Sequence, residues 1–224
     1  MPNWCSNKII LHGDKKEIKE LYTKIKSGKE LFDFNKIIPM PACLNIRVPE
    51  HVIDLAKQTS PDISQLSTSD IAMYKQCVRN IKSTGYAYWN DWRLDKWGTC
   101  WNAANSEIKA EIIIFQTAWD EPIPIVKQLS KTFPSILIDW YYLHEFEDYV
   151  YEHILFGGET IRKIENMPYD HYWAKVYFDF SPDEKEDFVL CNFPDSTQFY
   201  FRWQNIYGVK ELDEDDKGEL YTPF

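Results

Sequence analysis

Glycine is scarce in this sequence, with eight in 224 residues, and none sits in a run that could cradle a phosphate. A Gly-rich nucleotide loop is therefore not expected. No C-x-x-C pair occurs either: the five cysteines, at 5, 43, 77, 100 and 191, stand 38, 34, 23 and 91 residues apart. Their number is odd and no histidine is spaced with them, so neither a zinc nor an iron–sulfur site is expected. No stretch approaches the roughly 18 apolar residues that a spanning helix needs. The first residues, "MPNWCSNK", show no basic region followed by an apolar run, so no signal peptide is expected. The expectation is a reduced cytoplasmic protein with no cofactor, no metal and no membrane partner.

Positive charge is missing from one half of the chain. Residues 1–137 hold 18 Lys or Arg against 15 Asp or Glu, whereas residues 138–224 hold 7 against 20, for a net charge of −10. A strongly acidic half repels phosphate, so direct nucleic-acid binding is not expected. Acidic halves commonly keep a protein soluble, but they can also compete for a basic groove on a partner.

Aromatic residues are abundant: 9 Trp, 14 Tyr and 13 Phe make 16% of the chain. With a 44% apolar fraction this supplies a large core. Trp and Tyr also serve as anchors at interfaces.

Patterning supplies the elements. "NWCSNKIILHG" (3–13) reads as a strand running into a turn. Asp14 caps a following helix whose Ile18, Leu21, Tyr22 and Ile25 share one face, with Gly28 as the stop signal. Pro39 and Pro41 keep the next segment extended. Residues 49–84 read as helix in two pieces divided near "TSPDIS", and Ile71, Tyr74, Cys77, Val78 and Ile81 form the second stripe. "YAYWNDWRLDKWGTCWNA" then packs four tryptophans into thirteen residues. "EIKAEIIIFQTAW" (107–119) is the clearest strand. A short helix opened by acidic residues and proline follows, with Val126, Leu129 and Phe133 inside, and "SILIDWYYLHEFEDY" returns as a strand.

Residues 3–143 thus give β–α–(insert)–β–β–α–β, the order of an α+β ferredoxin-like split β-α-β sandwich. The helical insert occupies about 47–86. Residues 144–224 are expected as an acidic β-rich extension packed on the domain, ending in a mobile acidic tail at about 211–224. Within it, 144–164 either continue the last strand or form a helical crossover. "HYWAKVYFDF", "DFVLCNF" and "QFYFRWQNIYGV" read as β-type runs.

"MPNWCSN", "FDFNKIIPMP", "WGTCWNA", "FQTAWDEPIP" and "SKTFP…DWYY" resemble, in order, the landmarks of the YubB-like ferredoxin-fold family of plasmid and bacteriophage proteins. The resemblance spans residue 1 to about 142. It implies the same ferredoxin-like topology, with no iron–sulfur cluster, in a protein of a bacterial host cell whose family has no assigned activity. Two departures stand out. Cys100 occupies a position where the family pattern has lysine, and "LHEFEDYVYEH" replaces a Glu/Gly-rich turn.

Candidate binding residues cluster in these landmarks: Trp4, Trp97, Thr99, Trp101, Asn102, Thr117 and Trp119. The rings could stack on a base or clamp a partner's side chain, or they could form a second hydrophobic layer. Asn3, Ser6 and Asn7 beside them could orient a ligand or satisfy turns. The acidic candidates are Glu145, Glu147, Asp148, Asp183, Glu184, Glu186 and Asp187. Asp and Glu interleaved with aromatic rings can imitate nucleic acid. Cys100 is the best nucleophile available, but none of the five histidines is placed in a motif to activate it. The acids and histidines of "HEFEDYVYEH" read as a solvated charged surface. No catalytic residues are assigned.

The expected function is therefore non-catalytic: a phage or mobile-element protein that modulates a host protein with a basic surface, such as a nucleic-acid-handling defence enzyme. The alternative is a small-ligand or nucleotide binder using the Trp97–Asn102 loop. The oligomeric state is left open.

Overall fold

The computed structural model describes residues 2–145 and 149–168, with side chains through 164 except at Tyr149, and the backbone of 188–192 and 198–202. Six strands form one antiparallel sheet: β1 (Trp4–His12), β2 (Ala104–Lys109), β3 (Ile112–Ala118), β4 (Leu137–His144), β5 (Tyr149–Phe156) and β6 (Glu159–Pro168). Their order is β2-β3-β1-β4-β5-β6. The first four strands in that order, with helices α1 (Lys15–Ile25) and α5 (Ile123–Thr132), make the expected ferredoxin-like unit. β5 and β6 lengthen it at the β4 edge, so residues 149–168 extend the sheet itself. They are strands, not a helical crossover, and turn at Gly157 and Gly158, both at positive φ.

Side chains alternate across the sheet. Cys5, Ile9 and Leu11 of β1 share a face with Ile113 and Phe115 of β3, Ile138, Trp140 and Tyr142 of β4, and Leu155 of β5. That face carries the main core. Over it lie Ile18, Leu21 and Ile25 of α1, Ile125, Val126 and Leu129 of α5, and Phe32, Phe34 and Leu44 from the extended segment. Lys8, Ile10, Ile112, Asp139, Glu152 and Ile154 on the opposite face are buried as well.

Asp14 caps α1 as expected, its carboxylate accepting from the Lys16 N–H at 2.8 Å. The helix stops at Ile25, however, three residues before Gly28. Gly28 instead turns the chain between Ser27 and Glu30 at φ +56°. The insert folds as α2 (Glu50–Lys57) and α3 (Thr68–Thr84), joined by a satellite cluster of Ile53, Ala56, Cys77 and Ala87. Buried Asn80 pins it down by donating to the Cys43 and Ala87 carbonyls at 3.0 and 2.9 Å.

Two elements depart from the sequence reading. The run 107–119 is not one strand but the end of β2, a turn and β3, because Ala110 bends the chain at φ +47°. The tryptophan-rich segment, to which the sequence reading assigned no helix, forms helix α4 over Trp89–Trp97. Gly98 ends it in the left-handed conformation, its N–H donating to the Leu94 carbonyl at 3.1 Å.

Strands β7 (Phe188–Asn192) and β8 (Gln198–Arg202) pair antiparallel, matching two of the three β-type runs. The third run, 171–180, lies outside the described residues, as does the tail 211–224. No helix among the described residues is long and apolar enough to cross a membrane.

Candidate functional site

The tryptophans separate into two populations. Trp97, at the end of α4, is fully buried, and its indole N–H donates to the Ile38 carbonyl at 2.9 Å. Its ring meets Phe34 and Trp92 edge-on at 5.7 and 5.8 Å. Thr99 and Thr117 are also fully buried. The Thr99 hydroxyl donates to the Ala118 carbonyl at 2.8 Å, and the Thr117 hydroxyl accepts from Asn7 Nδ2 at 3.0 Å. Asn102 holds the extended segment: its Oδ1 accepts from the Phe34 N–H at 2.8 Å and its Nδ2 donates to Asp33 at 3.0 Å. These four side chains are occupied inside the fold.

Trp4, Trp101 and Trp119 behave differently. Trp101 and Trp119 are 39% and 45% exposed, and their rings meet edge to face at 5.2 Å with an interplanar angle of 63°. Half-buried Trp4 lies 6.3 Å from Trp101. Trp119 sits just past β3 with φ +67°, a backbone conformation unfavourable for a bulky side chain. Its N–H donates to the Asn3 carbonyl at 2.8 Å, so pairing with the start of β1 holds that conformation.

Acidic residues surround this end of the sheet. Asp120, next to Trp119, is exposed. Glu145 accepts from the Trp4 N–H through Oε2 at 2.9 Å, and its own N–H donates to the Trp4 carbonyl at 3.0 Å. Glu121 pairs with His144 at 3.1 Å, and that bond holds its carboxyl below the usual range. The Cys5 thiol beneath is pushed up by burial first and by the charge of Glu121 next. Of the acidic residues expected from sequence, Glu145 is the one placed here. Glu147, Asp148, Asp183, Glu184, Glu186 and Asp187 lie outside the described residues.

Cys100 is buried and its thiol is pushed up by that burial, away from the thiolate that nucleophilic chemistry needs. Among the described residues, no group of three or more His, Cys, Asp or Glu is placed to hold a metal ion. "HEFEDYVYEH" is not helical where described. Its Glu152 and His153 point to opposite faces of β5 and are both buried, unlike the solvated surface expected of them.

Sequence reasoning missed one polar cluster. On the sheet face away from the helices, the Tyr141 hydroxyl lies 3.1 Å from Asp139 Oδ2 and 2.8 Å from Glu152 Oε1. Arg162 approaches Glu152 Oε2 at 3.6 Å. The i, i+2 spacing of Asp139 and Tyr141 was the available signal, but Glu152 joins them only through strand pairing.

Over helix α5 and the strands around it, the chain is similar in sequence to a described family. Residues 96–163 match the ferredoxin-like domain in Api92-like protein. The match takes in "WGTCWNA", "FQTAWDEPIP" and "SKTFP…DWYY", and bears out the expectation of a ferredoxin-fold family. This Api92-like segment includes Trp101 and Trp119, whereas Trp4 and all of β1 come from outside it. A similar solved structure is the crystal structure of a protein api92 from Yersinia pseudotuberculosis. It is 12% identical, with 75% of this chain and 99% of that chain covered and a TM-score of 0.40. Comparison with curated proteins found no match.

Proposed function

We propose that the chain is a non-catalytic binding protein of a phage or mobile element. It docks on a basic surface of a host protein through Trp4, Trp101 and Trp119 and their acidic rim, and so modulates that protein. The observation that carries this reading is the exposed Trp101–Trp119 pair, presented by a backbone held at positive φ. Solvent-facing tryptophans cost free energy in the isolated protein, and each has a large area to bury against a partner. Asp120 and Glu145 add the charge that steers a basic partner towards the rings. The excess of acid over base in residues 138–224 supports the same partner chemistry, including a host enzyme whose own ligand is nucleic acid.

The test is titration with an arginine-rich peptide as a basic probe, followed by tryptophan fluorescence at low and high salt. Trp101→Ala and Trp119→Ala should each weaken binding by about tenfold or more, as truncated hot spots do. Asp120→Lys and Glu145→Lys should weaken it and flatten its salt dependence. Affinity unchanged in all four variants overturns the reading.

The alternative, a small-ligand site on the Trp97–Asn102 loop, keeps Trp101 as its single exposed ring, since Trp97 and Thr99 are buried and the half-buried Asn102 side chain is bonded to Asp33 and Phe34. Nucleotides quenching the fluorescence in a Trp101-dependent way, with no response to the basic peptide, would favour it.

A further inference from the structure

The cluster of Asp139, Tyr141 and Glu152 contains more acceptors than its hydrogens can serve. A phenol has one O–H hydrogen, yet the Tyr141 oxygen is within bonding distance of two carboxyl groups, at 3.1 and 2.8 Å. Two ionised carboxylates cannot both accept the one proton. A protonated carboxyl donating to the phenolic oxygen turns one of these contacts round and gives each a hydrogen of its own.

We infer that Asp139 is a buried proton-binding site. It carries a proton at neutral pH and donates it to the Tyr141 oxygen, Tyr141 donates to Glu152, and Glu152 holds the pair's single negative charge. The β5–β6 hairpin is in this way fastened to β4 by a proton.

The surroundings decide which acid is neutral. Arg162 of β6 stands 3.6 Å from Glu152 Oε2 and compensates a charge there. Among the described residues, Asp139 Oδ1 and Glu152 Oε2 both lack a hydrogen-bond partner, but only Glu152 Oε2 has a cation within ion-pair distance. Asp139 and Glu152 are each 8% exposed, so an ionised oxygen without a donor is costly, and a neutral acid avoids that cost. From β1, Lys8 lies opposite Tyr141, and His12 stands further along the same face. Burial pushes the Asp139 carboxyl well up and the neighbouring Glu152 charge adds to this, while the Tyr141 hydrogen bond, Arg162 and Lys8 only partly oppose it. The Tyr141 phenol is pushed up as well, by burial and then by Asp139, so it keeps its proton.

The sign of the pH effect follows. The folded state holds the Asp139 proton to a higher pH than the unfolded chain does. This site therefore loses stabilising free energy as pH rises above the ordinary carboxylate range, until Asp139 ionises in the fold.

The test is a pH titration of side-chain carboxyl carbons by 13C NMR on the whole protein, with Asp139 assigned through its own backbone. The expected result is a protonated Asp139 at about pH 7 that titrates above the normal carboxylate range. Glu152→Gln should move that titration down, because removing the neighbouring charge makes ionisation easier. Asp139→Asn, which keeps the shape and can donate Nδ2–H to Tyr141, should raise Tm over wild type by a margin that widens from about pH 5 to about pH 8. The gap should reach about 2–4 °C. An Asp139 carboxyl already ionised at about pH 7 overturns the inference, and needs no variant to be seen. An Asp139 titration unmoved by Glu152→Gln overturns the shared pair.

Discussion

Trp140 and Asn7 are joined inside the core: the Trp140 indole N–H donates to Asn7 Oδ1 at 3.1 Å, across the β1–β4 pairing. The Asn7 amide is used at both ends, since its Nδ2 donates to the Cys5 carbonyl and to the Thr117 hydroxyl, each at 3.0 Å. A fully buried amide is tolerated here because each of its polar atoms is partnered. It ties the three central strands together.

Asn7→Ala leaves the Trp140 N–H and the Thr117 hydroxyl without that amide and opens a hole beneath the helices. A loss of about 2–4 kcal/mol is expected in urea unfolding. Asn7→Asp should cost at least as much, because it buries a carboxylate and sets an acceptor where Nδ2 donated to the Cys5 carbonyl.

Trp97 and Trp101 are four residues apart and should respond oppositely. Trp97→Ala removes a buried ring and its bond to Ile38, so a loss of about 3–5 kcal/mol is expected. Trp101→Ala removes a partly exposed ring and should cost about 1 kcal/mol or less. Equal losses in the two variants would make Trp101 a core residue and remove the basis of the docking surface.

Gly98→Ala should be more harmful than Gly28→Ala, although both glycines have positive φ. A Cβ at Gly98 would lie 2.8 Å from the Glu121 carbonyl oxygen and 3.0 Å from Pro124, so the chain around the aromatic cluster must shift. At Gly28 nothing lies within 4 Å. The Gly28 variant bears only the conformational cost, about 1 kcal/mol, and Gly98→Ala should exceed it by about 1–3 kcal/mol. Thermal unfolding of the two variants side by side measures the difference.

His12 supplies an acid-side pH dependence. Burial lowers its imidazole from 6.5 to about 4, so the unfolded chain takes up a proton that the folded one resists. Stability from this group is fully present above about pH 6.5 and is lost as pH falls towards about pH 4. His12→Gln should flatten that limb of the stability–pH curve. A histidine NMR titration with an ordinary midpoint for His12 would contradict the burial effect.

Much of the scaffold follows from spacing along the chain. The apolar residues of β1, the Asp14 cap and the Ile18–Leu21–Ile25 stripe are local patterns, and strand and helix obey them because each buries one regular face. The βαββαβ order then leaves few ways to pair four strands, and the observed β2-β3-β1-β4 order is the ferredoxin-like one. The turn at Ala110 was not legible, because alanine carries no signal for a left-handed bend. Helix α4 was hidden by its three tryptophans, of which Trp92 and Trp97 are buried against a segment roughly sixty residues earlier.

The candidate site divides in the same way. Sequence alone determined that tryptophans and short polar residues gather around "WGTCWNA". Which rings face solvent depended on contacts between distant segments: Ile38 and Phe34 take up Trp97, while Asn3 holds Trp119 in a strained turn that leaves its ring exposed. The Asp139–Tyr141–Glu152 cluster was decided by tertiary structure in the same sense. Its acids belong to different strands, and only antiparallel registry brings them onto one buried face, where a shared proton costs less than a second charge.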